Sequence, residues 1–216
     1  ILGDRKTIDI DKGVFLGVTH RMHPSICQFV SEMFYEGRLE AHDPNKKQKI
    51  SGNTFYKGAG LFYHKVDHVG NMNYSAEEVD VVEKIFNELT NGDVFFTDKA
   101  GKTFPLHRED VMIISPYNAH VHEIQNRLSY HEGVGTVDKF QGRQAPVVIY
   151  SMATSSAEDA PRGMDFLYSP NRFNVAVSRA QAIFILITAP AVFEPECKSP
   201  EQMKLANSVW YFYEFI

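Results

Sequence analysis

Val111-Met112-Ile113-Ile114-Ser115-Pro116-Tyr117-Asn118-Ala119-His120 opens as an aliphatic run and breaks at a Ser-Pro-Tyr corner. The run has the length of a buried strand, and Val121, Ile124 and Leu128 beyond the corner repeat at helical spacing. A strand that is apolar without alternation is covered on both faces, as in a parallel sheet flanked by helices. Val147 to Ser151 and Ile183 to Thr188 have the same character. Amphipathic stripes separate such runs: Ile26, Phe29, Val30 and Met33, then Val79, Val82, Phe86 and Leu89. The alternation predicts an α/β layer fold with helices on both faces of a mostly parallel sheet.

Local signals mark the helix starts. Ser75 followed by Glu78 reads as a capping box, and Pro24 suits a first helical turn. A last helix is expected from about Pro200 to Phe215, with Leu205, Val209, Phe212 and Ile216 on one face. Val14 to Val18 reads as a further strand. Residues 37–60 are polar, with Lys46, Lys47, Lys49 and Lys57, and read as an irregular or hairpin insertion within a single domain spanning 1–216.

Composition narrows the function classes. A net charge of −5 argues against a basic surface that blankets nucleic acid, so any such contact is a local groove. Cys27 and Cys197 stand far apart without CxxC or CxxH neighbours, which supports neither a disulfide framework nor a zinc site. No stretch reaches the ~18 apolar residues of a membrane span, and the first residues lack a secretory pattern, so a cytoplasmic protein without a membrane partner is expected. A start at Ile1 reads as a piece of a longer chain.

Four clusters carry chemistry. Thr19-His20-Arg21-Met22-His23-Pro24 places an arginine after a strand-like run, on the edge where parallel sheets bind ligands, and a planar guanidinium suits phosphate oxygens. His20 and His23 lack a third ligand at useful spacing and read as loop or packing histidines. At Ser115 to His120, helix-start amides, Ser115 and an exposed Tyr117 ring suit a phosphodiester backbone or a stacked base. Gly135-Thr136-Val137-Asp138-Lys139-Phe140-Gln141-Gly142-Arg143-Gln144 packs phosphate- and ribose-binding groups into ten positions, with Gly142 permitting close approach. Asn171-Arg172-Phe173-Asn174-Val175-Ala176-Val177-Ser178-Arg179-Ala180 is expected on a helix before the strand at Ile183, where Arg172 and Arg179, seven apart, share a face. Each cluster alone is commonly a strand-turn-helix corner or a solvated arginine; their combination is harder to explain by folding.

Two signals are missing. Ala100-Gly101-Lys102-Thr103 imitates the end of a P-loop, but Phe96 stands where its first glycine belongs. No acidic pair follows a buried strand in the manner of a magnesium site, since Glu158-Asp159 lies in a Ser- and Pro-flanked loop.

Taken together, RMHP with a following Phe-Tyr-Glu-Gly, SPYNA, TVDKFQG and NRFNVAVSRA resemble the C-terminal, second RecA-like domain of superfamily-one helicases. The branch is that of the nonsense-mediated-decay and replication-maturation helicases. Met152 to Ser169 and Cys197 to Tyr213 look closer to a bacterial subgroup sometimes joined to a RecB-like nuclease. The resemblance implies a RecA-like P-loop NTPase fold lacking its own P-loop. ATP with Mg2+ would sit between two RecA-like domains, the metal held by an N-terminal RecA-like domain of the same chain. Arg179 then looks like the arginine finger on the γ-phosphate and Arg21 a second phosphate contact. Gln144 matches a position that usually holds Glu against the ribose, and His20 a position where relatives often stack an aromatic on adenine. Gly142 and Arg172 complete the nucleotide side. Ser115, Tyr117, Asn118 and Thr136 match a single-stranded DNA or RNA track. The competing readings are a non-motor single-strand-binding module and the helicase part of a helicase-nuclease fusion.

Overall fold

The computed structural model describes residue 7 and residues 13–216, so most of the first dozen positions lie outside the described residues. In chain order the elements are β1 (Val18–Thr19), α1 (Pro24–Phe34), β2 (Glu40–Ala41), β3 (Lys49–Gly52), β4 (Gly60–Lys65), α2 (Ala76–Leu89), β5 (Val94–Thr97) and β6 (Thr103–Pro105). They continue with β7 (Val111–Ile114), α3 (Asn118–Leu128), β8 (Val134–Gly135), β9 (Ala145–Ser151), α4 (Met164–Leu167), α5 (Pro170–Val177), β10 (Ala180–Thr188) and α6 (Pro200–Phe215). Five strands in the order β4-β10-β9-β7-β8 form a sheet whose pairings are all parallel. β3, β5 and β6 form a separate antiparallel sheet, and β1 pairs in parallel with β2.

The three long apolar runs of the sequence are the three central strands. Successive side chains of a strand point to opposite faces, and here each face meets its own core. Met112, Ile114, Val148, Tyr150, Phe184 and Leu186 pack on one side with residues of α1, α5 and α6. Val111, Ile113, Val147, Ile149, Ile183 and Ile185 pack on the other with α2 and α3. Phe29 of α1 is a node of the first core, with ring centroids 5.5–6.2 Å from Phe34, Phe173, Tyr211, Phe212 and Phe215. Among the described residues no helix is long and apolar enough to cross a membrane.

Several local expectations change in three dimensions. Of the run at 14–18 only Val18 falls in a strand, Val18–Thr19, and that strand lies outside the five-stranded sheet. Val14 and Leu16 are 85% and 81% exposed, so among the described residues no core receives the apolar face of this segment. α6 has the expected bounds, but Ile216 falls beyond its last turn and is half exposed, while Ala206 joins Val209 and Phe212 inside. The capping box is half made. Ser75 Oγ accepts from Glu78 N at 3.1 Å, yet the Glu78 carboxylate turns into the interior rather than back to Ser75 N. The lysine of Ala100-Gly101-Lys102-Thr103 sits in the β5–β6 hairpin, where Lys102 N donates to Asp98 Oδ1.

Candidate functional site

The four sequence clusters gather at opposite edges of the five-stranded sheet. The first site is at the amino-terminal edge, because Gln144 immediately precedes β9 and Arg179 immediately precedes β10. The loop after β1 is held there by His23 N donating to Gln181 O at 2.8 Å and by Gln48 Nε2 donating to Arg21 O at 2.7 Å. This corrects the expectation that Arg21 marks the carboxyl edge. β1 belongs to a different sheet, so the end of β1 and the end of the main strands need not coincide.

Arg21 joins three clusters. Its Nε donates to Gln144 Oε1 at 3.0 Å and its Nη1 to Ser178 O at 2.7 Å. Arg179 Nη1 reaches Arg143 O at 3.5 Å, and its buried Nε has no hydrogen-bond partner among the described residues. Every acceptor on these two guanidiniums is neutral, and among the described residues neither arginine pairs with a carboxylate. Burial, and then the nearby Arg179 guanidinium, hold Arg21 below the ordinary arginine value; burial does the same for Arg179. Two partly desolvated like charges, fixed by neutral groups, make a strong local demand for an anion.

A cleft of about 730 Å³ opens beside them, lined by His20, Arg21, Gln144, Ser178 and Lys99 among others. His20 is exposed, its ring 4.3 Å from that of His42 at a 47° tilt. With Oε1 engaged by Arg21, Gln144 presents its amide N–H groups as donors. Gly142 is exposed at φ 81°, left-handed backbone that glycine adopts freely. Lys99, at the β5–β6 turn, was not singled out by sequence, since a hairpin lysine carries no signal beyond solubility.

The second site lies at the carboxyl ends of β7 and β8. A groove of about 320 Å³ is lined by Tyr117, Asn118, Thr136, Asp138, Arg162 and Arg172 among others. No residue lines both spaces. Tyr117, expected to expose its ring, is only 5% exposed and packs on Phe166 with centroids 5.3 Å apart. Ser115 is fully buried, its Oγ without a hydrogen-bond partner, and does not line the groove. Asn118 is exposed and opens α3, which has no side-chain cap. Arg172 falls here rather than in the cleft. α5 ends at Val177 and Arg179 lies past its Ser178 cap, so the two arginines do not share a helix face.

One cluster was invisible in sequence. Glu78 is fully buried, with Oε1 2.9 Å from His68 Nε2, while Ala153 N and Ser151 Oγ both donate to Oε2. His120 Nε2 lies 2.7 Å from Ser151 Oγ. These bonds tie α2, α3 and the end of β9 to the residue 68 loop. Glu78 was legible only as a cap because Ser151 and Ala153, which donate to its carboxylate, lie 73 and 75 residues away.

A parallel sheet flanked by helices on both faces, with charge-bearing loops at both of its edges, is a mixed α/β architecture consistent with a RecA-like fold. The chain belongs to the AAA domain family, whose profile matches residues 5–191. It is 29% identical over 189 residues to Helicase sen1 of Schizosaccharomyces pombe, covering 80% of this chain and 10% of that one. It is 30% identical over 196 residues to the Regulator of nonsense transcripts 1 homolog of Neurospora crassa, covering 82% and 17%. Among solved structures it matches the C-terminal domain of a possible DNA helicase from a Lactobacillus at 12% identity and a TM-score of 0.43, covering 87% of this chain and 94% of that one. This is a helicase-related domain, and it spans under a fifth of the length of these two relatives.

Proposed function

We propose that the chain is the second motor domain of an ATP-dependent helicase, within the bacterial subgroup its motifs resemble. It would supply arginines to ATP bound against an N-terminal RecA-like domain of the same protein. The observation that supports this most directly is the pair Arg21 and Arg179, oriented by carbonyls and an amide and, among the described residues, without a carboxylate partner. An anion with several oxygens, such as a triphosphate, fits that arrangement. ATP would bring the γ-phosphoryl group whose transfer to water drives the motor, and Mg2+ would be held by the other domain. The chain's own residues would orient and neutralise. Arg179 would meet charge that develops on the transferring group, Arg21 would hold neighbouring oxygens, and Gln144 and His20 would contact ribose and base. A guanidinium aimed at developing charge is worth on the order of 10³–10⁵ in rate.

Without a P-loop of its own the chain is not expected to hydrolyse ATP alone. Asn118 and Thr136, at the other edge of the sheet, would contribute to a track for single-stranded DNA or RNA, with buried Tyr117 and Ser115 shaping it from beneath.

The test is ATP hydrolysis by the full-length protein with and without single strands, comparing the natural sequence with Arg179→Ala. Strand-stimulated turnover that collapses in the variant supports the reading. Turnover that is absent, or untouched by the substitution, removes it in favour of a non-motor strand-binding module.

A further inference from the structure

Phe166 carries two arginines. The guanidinium carbon of Arg162 lies 3.8 Å from its ring centroid and that of Arg172 lies 4.2 Å from it. Phe166 is itself buried and braced by Tyr117. Stacking on a fixed ring restrains a planar guanidinium while leaving its N–H donors unused. Among the described residues neither guanidinium donates a hydrogen bond or pairs with a carboxylate. Surface arginines cost little when solvated singly, but two of them over one ring repel each other unless an anion intervenes.

Both arginines line the groove at the carboxyl ends of β7 and β8, facing the opening turn of α3. That turn has no side-chain cap, so the first amides of an 11-residue helix are unclaimed where Asn118 and Ala119 line the same space. Unpaired helix-start amides and two free guanidiniums are complementary to phosphate. Asp138 is the one carboxylate among the groove's described lining residues, against two arginines.

We propose that Arg162 and Arg172, held on Phe166, form a clamp on successive phosphates of a single nucleic-acid strand. The clamp rests on the reading of this groove as part of the strand track and deepens it. It gives Arg162 a role and moves Arg172 from the nucleotide to the strand. Contacts confined to the backbone make the clamp indifferent to base sequence.

The experiment measures binding of fluorescein-labelled oligo-dT and oligo-U to the full-length protein by anisotropy, without nucleotide, between about 50 and 200 mM salt. Arg162→Ala and Arg172→Ala are each expected to weaken binding several-fold and to lower the slope of log affinity against log salt by about 0.7. Arg162→Lys is expected to keep the slope, because the charge remains, and so reports on the clamp even where removing Arg172 from Phe166 disturbs packing. A double alanine variant that binds with natural affinity and slope, while Asn118→Ala and Thr136→Ala weaken binding, overturns the clamp and leaves the track standing. No strand binding by the natural protein overturns both. Loss of ATP binding in the double variant with strand binding intact assigns the arginines to a nucleotide and overturns the clamp.

Discussion

The Nε of Arg21 donates to Gln144 Oε1 across 3.0 Å, joining residues 123 apart in the chain. The second anchor, Nη1 on Ser178 O at 2.7 Å, fixes the plane of the guanidinium. A double-mutant cycle of Arg21→Ala and Gln144→Ala, read by urea unfolding, is expected to give a coupling of about 1 kcal/mol. Additive single effects would mean that Gln144 does not hold Arg21, leaving Ser178 O as the anchor of the guanidinium.

Glu78 is the centre of the buried polar cluster. Glu78→Ala leaves Ser151 Oγ, Ala153 N and His68 without an acceptor in an interior that water does not reach. Breaking such a group costs about 3–5 kcal/mol. Denaturant unfolding of the variant checks this, and a loss below about 1 kcal/mol would show that the cluster relaxes around the gap.

Burial, followed by the proximity of His68, lowers His120 from 6.5 to about 3. The unfolded chain takes up a proton near pH 6.5 that the folded His120 refuses. Its stabilising contribution is therefore complete above pH 6.5 and is lost as pH falls toward 3, with a slope of up to about 1.4 kcal/mol per pH unit. Glu78, at 4.0 Å, His68, and Tyr74, whose ring centroid lies 6.1 Å from that of His120, are ionisable groups facing it among the described residues. His120→Gln removes this proton uptake. The stability difference between the two proteins should be flat above pH 6.5 and change steadily below it; parallel curves throughout would show that His120 titrates normally.

Phe29 gathers five aromatic rings from three helices. Phe29→Ala empties the centre of that cluster and is expected to cost about 3–5 kcal/mol. Phe29→Leu should recover much of it, and equal losses in both variants by thermal unfolding would point to ring geometry rather than volume.

Gly142 has open space around it, so a methyl group there meets no neighbour and only the backbone resists. At φ 81° the left-handed conformation costs an L-residue roughly 1–2 kcal/mol. Gly142→Ala should lose that much in urea unfolding. A variant as stable as the natural chain would show that the 141–144 turn is readily rearranged.

Much of the sheet is legible in the amino-acid pattern. Three aliphatic runs are β7, β9 and β10, and the stripes beginning at Ile26, Val79 and Val121 are α1, α2 and α3. The run at 14–18 departs from expectation because apolar alternation shows that a strand has a face to bury, not that a sheet is there to receive it. Arg162, Lys99 and the buried role of Glu78 leave no trace in spacing, since each depends on a partner brought in from elsewhere.

What the sequence determined by itself is the set of elements and the four charged or polar turns between them. Those follow from backbone period and turn chemistry, which act over a few residues. What only the tertiary structure decided is the pairing of turns. Parallel strands return by long crossovers that carry no local record of which loops will meet. The crossovers bring Arg21, Gln144, Ser178 and Arg179 to the amino edge of the sheet and Arg162, Arg172, Asn118 and Thr136 to the carboxyl edge. Tyr117 is buried for the same reason: the segment that covers it, with Phe166, arrives some fifty residues later in the chain.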